Sequence, residues 1–318
     1  MPDHHRPAHG PRPARRWVLA VIAVGLLTSA CGHDRGPAGP QATHVTPPSP
    51  VPAQHVVASA SGPPGSAGRS HSGSGARGSG GARHTGSAAR GTARRNSARP
   101  LAGKIVGIDP GHNGGNAGDP GYLNQLIWNG RAQETCDTTG TQTDGGYPEA
   151  LFNFAVARFL RADLRQAGAR VVMTRTSNNG VGPCVTRRAQ IINHGRADVA
   201  IDIHADGGPA AGRGFAILEP VADGPNNKVI SASAAFGHDL RAAFLARTPM
   251  PVSSYDGQGG VAFRDDLAGL NLTTVPKVLI ECGNMRNATD ARLLTSARFQ
   301  RRAARAMAAA IIRFLRRR

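Results

Sequence analysis

The sequence predicts an α/β domain, a mostly parallel or mixed central sheet with helices on both faces, occupying residues 101–318. From Leu101 onward, short apolar runs of strand length alternate with amphipathic segments of helix length. The runs are apolar throughout, as strands covered on both faces are. The hundred residues before Leu101 are low complexity, built from Gly, Ser, Ala, Pro, His and Arg. With 41 Gly, 23 Pro and only 4% aromatic residues, the chain cannot be packed core from end to end. The remaining ~218 residues suffice for one such domain.

Taken in order, Lys104–Asp109 (KIVGID) is a short apolar run closed by Pro110 and Gly111, hence a buried strand. Leu151, Phe152, Ala155, Phe159, Leu160 and Leu164 recur at helical spacing up to Gly168, which suits a C-cap. Arg170–Thr174 (RVVMT) is the second strand. Val185–His194 is the next helix, stopped by Gly195. Val199–Ile203 (VAIDI) and Gly214–Leu218 are the third and fourth strands, and Asn227–Leu245 is a helix. Lys277–Glu281 (KVLIE) is a late strand, and Asp290–Leu315 is one long Ala- and Arg-rich helix.

Ahead of the domain, Arg12, Arg15 and Arg16 precede Trp17–Ala30, 14 residues without charge. That run is too short to span a bilayer stably and right for the apolar part of an export signal. Residues 1–30 therefore read as a signal peptide. The segment Leu27-Thr28-Ser29-Ala30-Cys31 fits cleavage after Ala30, and it also fits, as a loose lipobox, lipidation of Cys31. Residues 31–100 read as a flexible linker, because so little apolar surface cannot offset the entropy of ordering. Eight of the chain's 12 His fall in residues 1–100, without regular spacing, and read as part of a solvated arm.

A formal charge of +18 first suggests nucleic acid or an anionic surface. Its distribution decides. Residues 1–100 hold 12 Arg against 2 Asp, and residues 296–318 hold 8 Arg and no acid. The other 195 residues balance 18 basic against 18 acidic groups. A neutral body argues against a nucleic-acid-binding fold. The basic ends suit holding an exported protein on an anionic wall or membrane surface.

Cys31 belongs to the signal. Cys136 and Cys184 lie in loop sequence, whereas Cys282 ends an apolar strand. In an oxidising compartment this pairs Cys136 with Cys184 and leaves Cys282 as a buried thiol.

Sheets of this class place their sites at strand ends. Two strands run into histidine: Asp109-Pro110-Gly111-His112, and Ile201-Asp202-Ile203-His204-Ala205-Asp206. Glu149 opens the first amphipathic helix, and Glu281 ends the late strand. Singly, these residues have ordinary explanations. A strand-end His is usually a solvated loop residue, and Glu suits a helix N-terminus for its dipole alone. Glu281 is harder to set aside, since an unpaired carboxylate within Val278-Leu279-Ile280-Glu281-Cys282 is costly to bury. Two His and a Glu as ligands, with one further Glu, make the open zinc site of a hydrolase: zinc acidifies a water and polarises a carbonyl, and the spare carboxylate takes the proton.

On these residues the chain resembles the zinc-dependent N-acetylmuramoyl-L-alanine amidases of the type-3 class, which cut between the glycan strand and the stem peptide of peptidoglycan. The resemblance covers roughly residues 103–316. It rests on Ile108–His112, on Arg187–Ala189 leading through Asn193 and Ala197-Asp198 into Ile201–Asp206, and on Pro276–Asn287. Within the class it is nearest to mycobacterial single-domain cell-wall amidases, which share the two loop cysteines. The resemblance implies one Zn²⁺ per chain on His112, Glu149 and His204, with Glu281 as the catalytic carboxylate and peptidoglycan or muropeptides as substrate. Asn284 and Arg264 are candidate substrate contacts, and Asp206 is a candidate to orient His204. The chain is expected to be a monomer located in the cell wall or periplasmic space, or secreted, with Cys31 as a potential lipid anchor. No nucleic-acid partner is expected.

The pattern also departs from the family. Thirty-six residues, 113–148, separate His112 from Glu149, more than is usual. Glu134 lies inside that stretch as a competing ligand, and the apolar helix starting right after Glu149 favours the latter. Asp202 stands where the family commonly has Ser. After Glu281 comes Cys-Gly-Asn-Met-Arg-Asn, where aromatic or Leu residues are more usual. These changes are expected to touch the cleft wall rather than the metal. The long stretch carries Tyr122, Leu126, Ile127 and Trp128 and is tethered at Cys136. It is expected to shape or cover the cleft, against the plainer alternative of a packed hairpin with no role in access. A rival class of function is a metal-free amidase-like domain that holds the wall without cutting it, which metal content would distinguish. All four site residues are present, which argues against this.

Overall fold

The computed structural model describes residues 99–318. The signal reading of residues 1–30, Cys31 and nearly all of the linker 31–100 lie outside the described residues. The described strands are β1 (Ile105–Pro110), β2 (Leu126–Trp128), β3 (Gln133–Thr135), β4 (Arg170–Met173), β5 (Val199–Asp206), β6 (Ala216–Pro220), β7 (Val261–Arg264) and β8 (Lys277–Asn284). Six of them form the central sheet in the order β4-β1-β5-β8-β6-β7, and β2 pairs with β3 as a separate antiparallel hairpin. The strands β4, β1, β5 and β8 run parallel, whereas β6 is antiparallel to β8 and parallel to β7. The sheet is therefore mixed, with its parallel half at the β4 side.

The helices are α1 (Pro120–Leu123), α2 (Glu149–Gln166), α3 (Val185–His194), α4 (Ile230–Arg247), α5 (Ala268–Asn271), α6 (Ala288–Leu294) and α7 (Ala297–Leu315). Helices α2, α4 and α7 pack together over one face of the sheet. There Val106 and Ile108 of β1, Val199, Ile201 and Ile203 of β5, and Val278 and Ile280 of β8 form the main core. The opposite face is thinly covered: α3 packs Ile192 on Ala200, and α5 packs Leu270 on Ala216, Leu218 and Leu279. Gly107 permits this, because a Cβ there would come within 2.6 Å of Ile192 Cδ1. Strand side chains alternate between faces. The partners of the core residues, Asp109, Asp202, His204, Lys277 and Glu281, are therefore all delivered to the thin face.

Several elements differ from the sequence expectation. The buried stripe of α2 is Phe152, Val156, Leu160 and Leu164, and Leu151 is 41% exposed. Leu151 precedes that i, i+4 row by about 100° of helix rotation, which turns it to solvent. Strands β5 and β8 continue to Asp206 and Asn284, so His204 and Glu281 sit within paired strands rather than at their ends. The expected helix 290–315 is two helices. Ser296 takes extended backbone as the N-cap of α7. Thr295 Oγ1 donates to the Ala291 carbonyl, and Gln300 Nε2 caps the Leu294 carbonyl.

Residues 113–148 hold α1 and the β2–β3 hairpin. Cys136 and Cys184 are joined by a disulfide with their Cα atoms 4.6 Å apart, and Cys282 is a buried free thiol. Part of the C-terminal charge is neutralised within the fold: Arg313 Nε lies 3.0 Å from the buried carboxylate of Asp239, which Arg317 also pairs. Among the described residues, no helix is long and apolar enough to cross a membrane.

Candidate active site

The segment Pro110-Gly111-His112 leaves β1 and turns sharply, with His112 in the left-handed region at φ 53°. Two buried arginines hold that strained turn. Arg175 donates to the carbonyls of Pro110, Gly111 and Ala150. Arg188, from α3, donates to the carbonyls of Pro110 and His112. Gly111 must be glycine, since a Cβ there would overlap the His204 ring at 2.1 Å.

Glu149, in the first turn of α2, is buried and faces both histidines. Its Oε2 lies 3.2 Å from His112 Nε2, and its Oε1 lies 2.8 Å from His204 Nδ1. The two rings meet edge to face, 4.9 Å between centroids. Asn153, one helical turn on, donates to Glu149 Oε1 at 3.1 Å and to the Gly111 carbonyl. One ligand atom from each of His112, Glu149 and His204 lies within 4.8 Å of the others. Two imidazoles and a carboxylate converging in this way fit a zinc ion, which favours this donor set with one position left open. Glu134 is elsewhere: it accepts from Asn129 Nδ2 and from the Ala268 amide, and forms part of the cleft wall.

Glu281 stands directly across from His204 in the β5–β8 ladder. Its Oε2 is buried without a hydrogen-bond partner. Burial pushes its carboxyl up to about 8, with Glu149 and Asp206 adding to the effect against His204 and His112. The carboxyl of Glu149 is held well below its usual range. Burial opposes this, and the two histidines on either side outweigh it.

His112 and His204 line a cleft of 220 Å³ together with Glu134, Thr135, Asp137, Thr138, Val185 and Leu267. Residues 134–138 belong to the long inserted stretch, which therefore shapes the cleft. A second cavity, of 280 Å³, is lined by Glu281, Asp206, Tyr255, Asp256 and Arg264.

The remaining expectations divide. Arg264 is at this second cavity, its guanidinium held by Asp266 at 2.7 Å. Asn284 is fully buried, with its amide spent on the carbonyls of Pro209 and Gly212, so it offers substrate no contact. Asp206 accepts from Tyr255 Oη at 2.8 Å and does not brace His204. Asp202 is the carboxylate beside that ring, 3.3 Å from Nε2. The departure from Ser at position 202 thus touches the His cluster and not only the cleft wall. Sequence reasoning missed Asp137, Asn153 and Tyr255. Only Asn153 had a local signal, lying four residues after Glu149 on the same helix face.

The sequence and fold resemble those of known proteins. The N-acetylmuramoyl-L-alanine amidase family matches residues 106–313. An N-acetylmuramoyl-L-alanine amidase of Mycobacterium tuberculosis is 38% identical over 221 residues, 68% of this chain and 88% of that protein. The crystal structure of the amidase Ami1 from Mycobacterium smegmatis superposes with a TM-score of 0.65 at 40% identity, covering 69% of this chain and 99% of that one. The apo form of Ami1 from Mycobacterium abscessus gives 0.64 at 41% identity, covering 68% and 100%. With the mixed sheet, the matched span and these identities in agreement, the chain belongs to the N-acetylmuramoyl-L-alanine amidase family.

Proposed function

We propose that this chain hydrolyses the amide bond between N-acetylmuramic acid and the L-alanine of the stem peptide in peptidoglycan. The observation that carries the reading is the convergence of His112, Glu149 and His204 beside a buried, partnerless Glu281 carboxylate, in a chain of this family. His112, Glu149 and His204 would hold one Zn²⁺. Bound there, zinc supplies a Lewis acid that polarises the scissile carbonyl and acidifies the attacking water.

The protein's own groups do the rest. Burial raises the proton affinity of the Glu281 carboxylate, which supports the reading that its Oε2 takes the proton of the attacking water and returns it to the leaving amine. Arg175 and Arg188 keep the His112 turn in its strained conformation, so the ring is in place before substrate arrives. Arg264 lines the cavity that holds Glu281, which supports reading it as a contact for a carboxylate of the stem peptide.

The enzyme is read as exported, with residues 1–30 as signal, 31–100 as tether and 101–318 as the catalytic domain. It acts as a monomer, and its basic arm or a lipidated Cys31 holds it near the wall or membrane. The test is release of stem peptide from purified muropeptide, abolished by a chelator and restored by zinc. Glu281→Ala should retain zinc and lose turnover by roughly 10²-fold or more. Wild-type turnover in that variant would refute the role given to Glu281. Full zinc occupancy with no peptide released by the wild-type chain would instead favour a wall-binding protein.

A further inference from the structure

Behind the two histidines lies a group of charges of which the proposed reaction uses only Arg188, through its bonds to the His112 turn. Each ring presents one nitrogen to Glu149 and the other to an aspartate. His112 Nδ1 is 3.1 Å from Asp137 Oδ1, and His204 Nε2 is 3.3 Å from Asp202 Oδ1. The contact of Asp202 Oδ1 with His204 is a close charge pair rather than a well-aligned hydrogen bond, and that buried oxygen has no hydrogen-bond partner. The second oxygen of each aspartate is held by a buried cation: Asp137 Oδ2 by Arg188 Nη2 at 3.1 Å, and Asp202 Oδ2 by Lys277 Nζ at 3.2 Å. Asp109 lies between those two cations. Its Oδ1 meets Arg188 Nη1 at 3.1 Å and its Oδ2 meets Lys277 Nζ at 2.8 Å, with Thr174 Oγ1 donating to Oδ1 as well.

Asp137, Arg188, Asp109, Lys277 and Asp202 thus alternate in sign from one imidazole to the other, and each is at least 93% buried. Five buried charges are costly unless each is fully paired. The cost has no counterpart in the core, which lies on the other face of the sheet. Strand register brings them together: Asp109 is opposite Asp202 in the β1–β5 ladder, and Lys277 enters from the start of β8.

We infer that these five residues form a single buried brace that orients both imidazoles from behind, which makes Asp137 and Asp202 positioning residues of the site. The inference rests on the zinc reading above. Imidazole ligands are commonly fixed by a carboxylate on the nitrogen away from the metal, and losing that partner costs about 10- to 100-fold in metal affinity. The two aspartates here share one rigid foundation, so disturbing one end should be felt at the other.

The experiment measures zinc affinity of the full chain by competition with a chelator. It is paired with the visible spectrum of the cobalt-substituted protein, which reports ligand geometry independently of turnover. Asp137→Asn and Asp202→Asn should each weaken zinc about 10- to 100-fold and alter the cobalt spectrum. Lys277→Met should do the same although it touches neither histidine. The double variant Asp137→Asn/Asp202→Asn should depart from the sum of the single effects. Should Lys277→Met fail to fold, Asp202→Ser serves in its place, since it leaves Lys277 paired with Asp109. Unchanged zinc affinity and cobalt spectrum in both aspartate variants would overturn the brace. Additive effects would overturn its unity. If the wild-type chain itself binds no zinc, it is the metal reading that fails.

Discussion

The disulfide provides the sharpest test of how the inserted stretch is tied to the site. Cys136 and Cys184 close a loop of 48 residues by sequence separation. In the chain-entropy model, releasing a loop of that length destabilises the fold by about 4 kcal/mol. For a domain of this size that corresponds to a fall of roughly 8–16 °C in Tm. The effect should also reach the site. Three contacts to His112 Nδ1, from Asp137 Oδ1, the Thr138 carbonyl and Thr138 Oγ1, come from the two residues directly after Cys136. What would remain are two backbone hydrogen bonds of Cys136, from its N to Gln125 O and from Val185 N to its carbonyl, with the Arg188–Asp137 ion pair and the Asn116 Nδ2 bond to the Thr138 carbonyl. The perturbation is the double variant Cys136→Ala/Cys184→Ala, which leaves no stray thiol behind. Thermal melting followed by circular dichroism gives the global term, and chelator competition gives the loss of zinc affinity at the site. A fall in Tm under about 2 °C with unchanged zinc affinity would refute the reasoning. It would show that the noncovalent contacts of residues 136–138, the Arg188–Asp137 pair and the Asn116 bond among them, hold the stretch without the disulfide.

Other consequences are more local. Gly140 has φ +73°, and a Cβ there would come within 2.6 Å of His112 Cδ2 and 2.7 Å of Glu149 Oε2; Gly140→Ala should cost zinc affinity. Gly103→Ala, at φ +79° with open space around it, should cost only the backbone term of about 1 kcal/mol and leave zinc binding intact, as chelator competition and melting will show. Glu219 on β6 is buried, and burial pushes its carboxyl from 4.5 to about 7. Its folded form therefore prefers the proton, and stability is lost as pH rises from about 4.5 through 7. Glu219→Gln should match wild type in urea melts at pH 4 and exceed it by about 1–3 kcal/mol at pH 8. Deleting Tyr122–Gln133, which removes the end of α1, β2, the turn and the first residue of β3 but leaves Glu134–Thr138 in the cleft wall, should change kinetics on polymeric peptidoglycan more than on small muropeptides. Equal kinetics on both would mean that the hairpin has no part in access.

The sequence by itself determined the class of sheet, the boundaries of α3 and the residues that converge in the site. It could do so because each signal was local. Apolar runs such as Val199–Ile203 need only their own composition to read as buried strands, Val185–His194 carries its stop in Gly195, and His112 and His204 come just after apolar runs in the sequence. The break between α6 and α7 was missed because it depends on Gln300 reaching back to the Leu294 carbonyl and on Thr295 competing for the Ala291 carbonyl, which no helical periodicity reveals. Asn284 looked available in sequence three residues after Glu281, yet at the end of β8 it is buried with its amide on the carbonyls of Pro209 and Gly212. Asp109, Asp202 and Lys277 are scattered over 168 positions, and only the parallel register of β1, β5 and β8 puts them in one row behind the histidines, where Arg188 ties in Asp137 from the inserted stretch. Pairing across a sheet is decided by which strands become neighbours, a long-range choice made by the whole core. Local composition could therefore name the reacting groups, and only the tertiary structure could show what holds them.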